Sequence, residues 1–261
     1  MNRSPPWLYS ALIFGVAGAL GTTSCLANAV FTTNFSSLPP GTSVLSDAVV
    51  DGGILKLTNA VNAQNGFFYI NDLEPGFAVD SFTATFKAFV GGGTCCGGLS
   101  TADGFSFNFA NDLPVLGFQG EEGGGTGLTV SFDSFDNGPP DAAPAIDVKL
   151  GGVAIGRVLT QVSQGLNAPL NFWDVFIKLD SDGTLDVSYN NAPIYTNFST
   201  GYTPIAGGQF AFGARTGGAN DNHWIDDLTI ETQTSAAVPE PATLALLGLG
   251  LAGLGFSHRK K

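Results

Sequence analysis

Hydrophobic and polar positions alternate with a period of two through most of the middle of the chain. In ADGFSFNFA (102–110), Phe105, Phe107 and Phe109 fall on one side, with Ser106 and Asn108 on the other. In LTVSFDSFDNGPPD (128–141), Leu128, Val130 and Phe132 oppose Thr129, Ser131 and Asp133. In DSFTATFKAFV (80–90), Phe82, Ala84, Phe86 and Ala88 oppose Thr83, Thr85 and Lys87. Such alternation predicts strands buried on one face only. Further strands are expected in FTTNF, which is short and edge-like, in GILKLTNA (53–60) and in GFFYIND (66–72). AIDVKLGGVAIGRVL reads as a hairpin turning at Gly151-Gly152. WDVFIKLDSDGTLDVSYNNAPIYTNF holds two or three strands, with a hairpin turn at Asp182-Gly183. GQFAFGAR and HWIDDLTIET are the closing strands, and no stretch between the two ends carries a helical period.

The ends follow different rules. Residues 1–29 read as a secretory signal peptide: Arg3 is the positive n-region, 8–20 the apolar run, and Ala27-Asn28-Ala29 the small-residue cleavage site. A lipoprotein signal at Cys25 is the rival reading, but Thr22-Thr23-Ser24 lacks the usual aliphatic residue ahead of the cysteine. The expected body is 30–233, followed by a linker and tail over 234–261. In the tail, Pro239, Glu240 and Pro241 precede an apolar stretch over 242–256 and a basic end, Arg259, Lys260 and Lys261. The stretch is about 15 residues, roughly 22 Å as a helix, against the roughly 20 residues of a stable span. Its basic end is the side expected to stay cytoplasmic. A temporary inner-membrane anchor is the expectation.

Composition sharpens the fold class. With 36 Gly, 21 Phe and 12% charged residues in 261, the chain suits a sandwich of strands joined by tight turns. The prediction is an all-β, two-sheet antiparallel jelly-roll sandwich. A formal net charge of -12 argues against nucleic acid, whose binders carry basic stripes. Cys95 and Cys96 sit in a Gly-rich loop. They are expected as a vicinal disulfide, as a pair between chains or as an inert staple. Two adjacent thiols and His223 offer zinc little.

The candidate chemistry lies at strand ends. Asp103, Asp133, Asp136, Asn137 and Asp141 put oxygen side chains on loops, as a hard cation such as calcium requires, though the same residues also form turns. Asp180 and Asp182 fit turn chemistry and lack the rest of a calcium loop. Trp224 is either an aromatic platform or a core residue.

The tail resembles the PEP-CTERM sorting signal of Gram-negative bacteria, since Pro239-Glu240-Pro241, the apolar stretch and the basic cluster occur in order. The resemblance implies processing by an exosortase, transient inner-membrane anchoring, and an exported protein at the cell surface or in an exopolysaccharide or biofilm matrix.

The middle resembles the concanavalin A-like lectin/glucanase superfamily, nearest to bacterial relatives of legume lectins. Its motifs are Ala102-Asp103-Gly104 and VSFDSFDNGPPD. The resemblance implies that Asp103 follows a cis peptide and accepts from sugar hydroxyls. Asp133, the Phe135 carbonyl, Asn137 and Asp141 would hold calcium, and Asn137 and the Phe135 ring would face sugar. Gly124, in the EEGGG loop, would donate a backbone N–H to the sugar. Ser131 stands where the lectins have a transition-metal glutamate, and Ala143 lies near the place of their histidine, so no transition metal is expected.

Three functions remain. The leading one is a secreted lectin-like protein that binds matrix polysaccharide and is not an enzyme. A structural matrix protein without a sugar site is the alternative. A glycan hydrolase is the third: it needs two carboxyl groups about 5 Å apart, and the motif strand reads Ser131-x-Asp133-x-x-Asp136, without its first glutamate. Glu121 and Glu122 are adjacent, so in a strand they would point to opposite faces.

Overall fold

The phenylalanine rows make the core. The computed structural model describes residues 28–93, 101–139 and 141–234. These hold sixteen strands: β1 (Val30–Thr33), β2 (Thr42–Ser46), β3 (Val49–Asp51), β4 (Ile54–Thr58), β5 (Asn65–Ile70), β6 (Ala78–Gly91), β7 (Gly104–Ala110), β8 (Leu128–Asp133), β9 (Ala145–Leu150), β10 (Val153–Leu159), β11 (Trp173–Leu179), β12 (Thr184–Tyr189), β13 (Ala192–Ser199), β14 (Ile205–Ala206), β15 (Gln209–Arg215) and β16 (Asn222–Thr234). The described helix is one 3-10 turn, Gly120–Glu122. One sheet runs β10-β9-β8-β7-β15-β5-β2, and the other runs β13-β12-β11-β6-β16-β4-β3, with β1 on β16 and β14 on β6. The pairings are antiparallel throughout, so the all-β two-sheet sandwich is the observed architecture.

Between the sheets, Phe82 and Phe86 of β6 meet the facing row from β7 and β15. Phe82 and Phe210 lie edge to face at 5.2 Å, and Phe86 and Phe212 do so at 5.0 Å. Phe105 stacks on Phe132 of the next strand at 4.4 Å. Each fully buried Phe is worth about 1.5–3 kcal/mol, and an edge-to-face pair adds about 0.5–1.5. The turns match their residues. Gly151 and Gly152, both at positive φ, join β9 to β10. Asp182 accepts from the Thr184 N–H and hydroxyl, while Gly183 takes φ +81 between β11 and β12.

One expectation needs correction. The five inner strands of the seven-stranded sheet, β5, β7, β8, β9 and β15, are buried on both faces: Ser106 and Asn108 on β7 are as inaccessible as the phenylalanines between them. The segment between β7 and β8, including the 3-10 turn, lies over the polar side of the sheet. Ser106 Oγ donates to the Gly120 carbonyl at 2.6 Å, and Ser131 Oγ to the Glu121 carbonyl at 2.5 Å. Asn108 Oδ1 accepts from the Thr129 hydroxyl at 2.8 Å. Polar residues alternate there because they carry the hydrogen bonds of an overlying loop, a pattern indistinguishable in sequence from a solvated face.

Several expectations fall outside the described residues: the signal peptide up to residue 27, the Cys95-Cys96 pair and the tail. At Ala29 the N–H donates to Glu74 Oε1 at 2.8 Å and the carbonyl accepts from the Thr232 N–H at 3.0 Å. β16 runs on through Thr234. Among the described residues no helix is long and apolar enough to cross a membrane.

Candidate functional site

Register brings distant motifs into one row. Gly104 pairs with Asp133 of β8 on one side and with Arg215 of β15 on the other, and Asp133 pairs with Ala145 of β9. The ends of four neighbouring strands therefore gather Arg215, the Ala102-Asp103-Gly104 motif and the Asp133 motif. Gly104 suits this position because its φ is +145 and a Cβ there would meet the Phe132 carbonyl oxygen at 2.2 Å. The peptide between Ala102 and Asp103 is cis, as the resemblance implied.

Asp103, Phe135, Asn137, Arg215, Gly217 and Ala219 line a cleft of about 440 Å³ at this row. The Phe135 ring packs on Ala102 and Ala219. Gly217 faces the Asp103 carboxylate, leaving its two oxygens 3.4 and 3.6 Å from where a Cβ would stand. Asp103 is held from several sides. Its N–H donates to the Arg215 carbonyl at 2.9 Å, its carbonyl accepts from the Ser134 N–H and hydroxyl at 2.8 and 3.0 Å, and its Oδ2 lies 3.1 Å from Arg215 Nε. Burial pushes the Asp103 carboxyl above the usual carboxylate range, opposed by the Arg215 charge. The outer end of Arg215 donates through Nη2 to Glu121 Oε1. Glu121 has no exposed surface, its Oε2 finds no hydrogen-bond partner, and burial raises its carboxyl to about 8.

Beside this cleft lies a cluster of three carboxylates. Glu122, Asp133 and Asp141 each offer an oxygen, all within 4.8 Å of one another. Asp133 is buried, and its Oδ1 accepts from the Phe135 N–H at 2.9 Å. Its carboxyl is raised to about 7, chiefly by burial, with Asp141 and Glu122 adding repulsion. Asn137 closes the loop, its amide nitrogen 3.4 Å from both the Phe135 carbonyl and Asp141 Oδ2. Two cations flank the cluster: Lys149 pairs with Glu122, and Arg157 grips Asp147 through Nε and Nη2 while its Nη2 lies 3.4 Å from Asp141 Oδ1.

The structure thus brings Asp103, Phe135 and Asn137 to one cleft, and Asp133, Asn137 and Asp141 to one cluster beside it. It does not bring Gly124 there as a donor. The Gly124 N–H is directed at Asn108 Oδ1, 3.0 Å away, and a Cβ at Gly124 would stand 2.6 Å from Phe118 Cβ. That glycine is required by packing against the loop's own base. Trp224 is also elsewhere, on the other sheet, its Nε1 donating to Asn59 at 3.2 Å and Lys56 lying over its ring. Glu121 and Glu122 do point apart, toward Arg215 and Lys149, from a 3-10 turn rather than a strand. Arg215, Glu122 and Arg157 were not foreseen as site residues. Arg215 carried one signal: it is one of only 10 Lys and Arg in the chain and ends a strand of apolar alternation. Asp221 was missed too. Fully buried and raised by burial to about 6, it accepts from the Gly93 N–H at 2.9 Å and the Ser163 hydroxyl at 2.7 Å, joining separate loops.

Comparisons with known proteins agree with this geometry at the level of fold. Residues 237–260 match the PEP-CTERM protein-sorting motif. No curated protein sequence matches the chain. Among solved structures, the lectin from Bauhinia forficata in complex with GalNAc superposes with a TM-score of 0.61 at 18% identity, covering 80% of this chain and 100% of that one. Basic winged bean lectin with Tn-antigen gives 0.59 at 20% identity, covering 79% and 98%. The VIP36 exoplasmic/lumenal domain in its Ca2+/Man2-bound form gives 0.56 at 14% identity, covering 83% and 91%. The body of this chain therefore has the fold of the legume-type lectins, and its C-terminus carries a PEP-CTERM protein-sorting motif.

Proposed function

We propose that this is an exported glycan-binding protein that takes a sugar in the cleft of Asp103, Phe135 and Asn137. One observation carries the reading: a carboxylate, an amide and an aromatic ring, from segments more than thirty positions apart in places, converge on one cleft beside a cation-suited cluster. Asp103 accepts from sugar hydroxyls, Asn137 donates and accepts, and the Phe135 ring takes a C–H face. Arg215 orients Asp103 and offers further N–H donors. The comparison structures include lectins with mannose and GalNAc ligands, which supports the class of ligand.

A hard cation fits the neighbouring cluster on this chain's own evidence. Three carboxylates crowd within 4.8 Å, and one of them, Asp133, is raised to about 7 by burial and by its neighbours. Calcium would be held by Asp133, Asp141, the Phe135 carbonyl and the Asn137 side chain, with Glu122 as an additional ligand. It would offset the repulsion and fix the loop that carries Phe135 and Asn137. A transition metal fits less well, because Asp147 is engaged by Arg157 and Ser131 by a backbone carbonyl.

The reading extends to sorting. Residues 1–29 would direct export, 30–233 would bind glycan, and 234–261 would hold the protein transiently at the inner membrane until an exosortase acts near Pro239-Glu240-Pro241. Arg259, Lys260 and Lys261 would stay on the cytoplasmic side. The protein would then serve at the surface or in the exopolysaccharide matrix of a Gram-negative bacterium. A hydrolase is disfavoured because the two site carboxyls raised toward neutrality, Glu121 at about 8 and Asp133 at about 7, are both buried and have almost no surface to meet a substrate. The structural matrix reading has one observation in its favour, the ion pair that occupies one oxygen of Asp103. A glycan array probed with the full-length protein in mild detergent tests the choice. Retention of a neutral glycan, lost in Asp103→Ala, is expected. Identical profiles for wild type and Asp103→Ala would leave the structural reading standing.

A further inference from the structure

We propose that a second glycan subsite lies across the ridge formed by residues 134–137, so that the ligand is a neutral polysaccharide chain rather than a single terminal sugar. This rests on the binding reading above and extends it. The ridge divides its side chains alternately. Phe135 and Asn137 line the first cleft, while Ser134 and Asp136 line a second one of about 520 Å³. The facing segment does the same, with Asp103 in the first cleft and Thr101 in the second. Two clefts therefore abut along a divide one residue wide, where consecutive Cα atoms are about 3.8 Å apart. Each is within the roughly 300–1,000 Å³ of small-ligand sites.

The second cleft is built, not incidental. Its far wall is the segment after β10, where Gln161 and Leu166 face the cleft opposite Pro144. That wall is fixed by the Thr160 N–H to the Pro144 carbonyl at 3.0 Å, the Gln164 N–H to the Val90 carbonyl at 2.8 Å and the Gly92 N–H to the Gly165 carbonyl at 3.1 Å. Beneath it, buried Asp221 accepts from the Ser163 hydroxyl and the Gly93 N–H and interacts with Thr101. The Ser163 hydroxyl gives its hydrogen to Asp221 and takes the Gly165 N–H at 3.0 Å on one lone pair, which leaves one lone pair to accept from a ligand. Leu166 and Pro144 add apolar surface to the same lining. A lining that combines hydroxyls with apolar surface suits a pyranose, which presents both hydroxyls and C–H groups. Asp136 is the charged residue on this lining among the described residues, so a uronate would meet repulsion there.

Oligosaccharide ladders of one to five residues test this with the full-length protein: a mannose series, a galactose series and a galacturonate series. Calorimetry should show about tenfold tighter binding of a trisaccharide than of the monosaccharide in a neutral series. The galacturonate series should show no such gain. Leu166→Trp, which fills the second cleft, should return the trisaccharide to the monosaccharide value while leaving the monosaccharide within about twofold. Gln161→Ala, at an exposed position where the amide donates to the Ser163 carbonyl at 3.0 Å, should reduce the gain at the cost to stability of that hydrogen bond. Equal affinity for one and three residues, or a length gain that survives Leu166→Trp, overturns the second subsite and leaves the first intact. Failure of every neutral sugar to bind, with Asp103→Ala unchanged, overturns the binding reading and this extension with it.

Discussion

Asp103 and Arg215 are tied twice, once through the backbone, where the Asp103 N–H donates to the Arg215 carbonyl at 2.9 Å, and once through the side chains, where Nε lies 3.1 Å from Oδ2. The pairing makes the arginine the counter-charge of Asp103 as well as of Glu121 behind it. Removing one partner of a buried pair costs about 3–5 kcal/mol, which the partial exposure of Arg215 reduces to about 1–3. Arg215→Met should lose that much stability in urea unfolding and weaken glycan retention with it. Wild-type stability in the variant would show that the guanidinium is not the counter-ion.

Gly104 and Gly218 give a matched pair. A Cβ at Gly104 would stand 2.2 Å from the Phe132 carbonyl oxygen on a backbone with φ +145, whereas at Gly218 it would meet nothing within 4 Å. Gly104→Ala should cost more than about 3 kcal/mol or abolish folding, and Gly218→Ala should stay within about 0.5 kcal/mol. Thermal melts of both variants decide the point.

The carboxylate cluster predicts opposite effects with and without calcium. At 100-fold excess over its Kd, calcium should add about 2.7 kcal/mol, or about 5–10 °C in Tm. In Asp133→Asn that shift should vanish. In chelator at pH 8 the same variant should melt above wild type, because it removes a buried charge whose neighbours are Asp141 and Glu122 while keeping an acceptor for the Phe135 N–H. A lower melt in chelator would mean that the cluster is not repulsive.

Asp221 predicts a pH slope. Its carboxyl is raised from 3.8 to about 6, so the folded protein holds a proton that the unfolded chain releases first. Its stabilising contribution is full below 3.8 and is lost as pH rises through about 6, by at most about 3 kcal/mol. Asp221→Asn should flatten the fall in stability between those two values. Parallel curves for the two proteins would deny the assignment.

Sorting is tested separately. Deleting residues 237–260 should change the distribution between membrane, surface and medium, and neutralising Arg259, Lys260 and Lys261 should weaken membrane retention. Unchanged fractionation of both variants would count against a sorting role.

The sandwich was legible because burial of Phe82, Phe105, Phe107 and Phe109 imposes a strict period that neither turn chemistry nor charge obscures. The Asp103 and Asp133 motifs were legible because each is contiguous. Arg215 was not, since its place beside Asp103 is set by the β7–β15 register between segments about a hundred positions apart, which no local pattern encodes. Ser106 and Asn108 misled for a related reason. Period two reports which side differs, not whether the polar side meets water or a loop. Gly124 was assigned by loop position alone, and its amide is directed at Asn108.

β16 has a consequence for how the molecule stands on a surface. The strand begins at Asn222, next to the Asp221 that braces the second cleft, and spans 13 residues to Thr234, while Val30 of β1 pairs with Glu231 near that same end. At about 3.3 Å per residue the strand measures about 40 Å. Both chain termini of the sandwich thus leave from the pole opposite the clefts. A protein tethered through its C-terminus would hold the pole that carries the two clefts outward at the full height of the domain, like a hand at the end of a forearm.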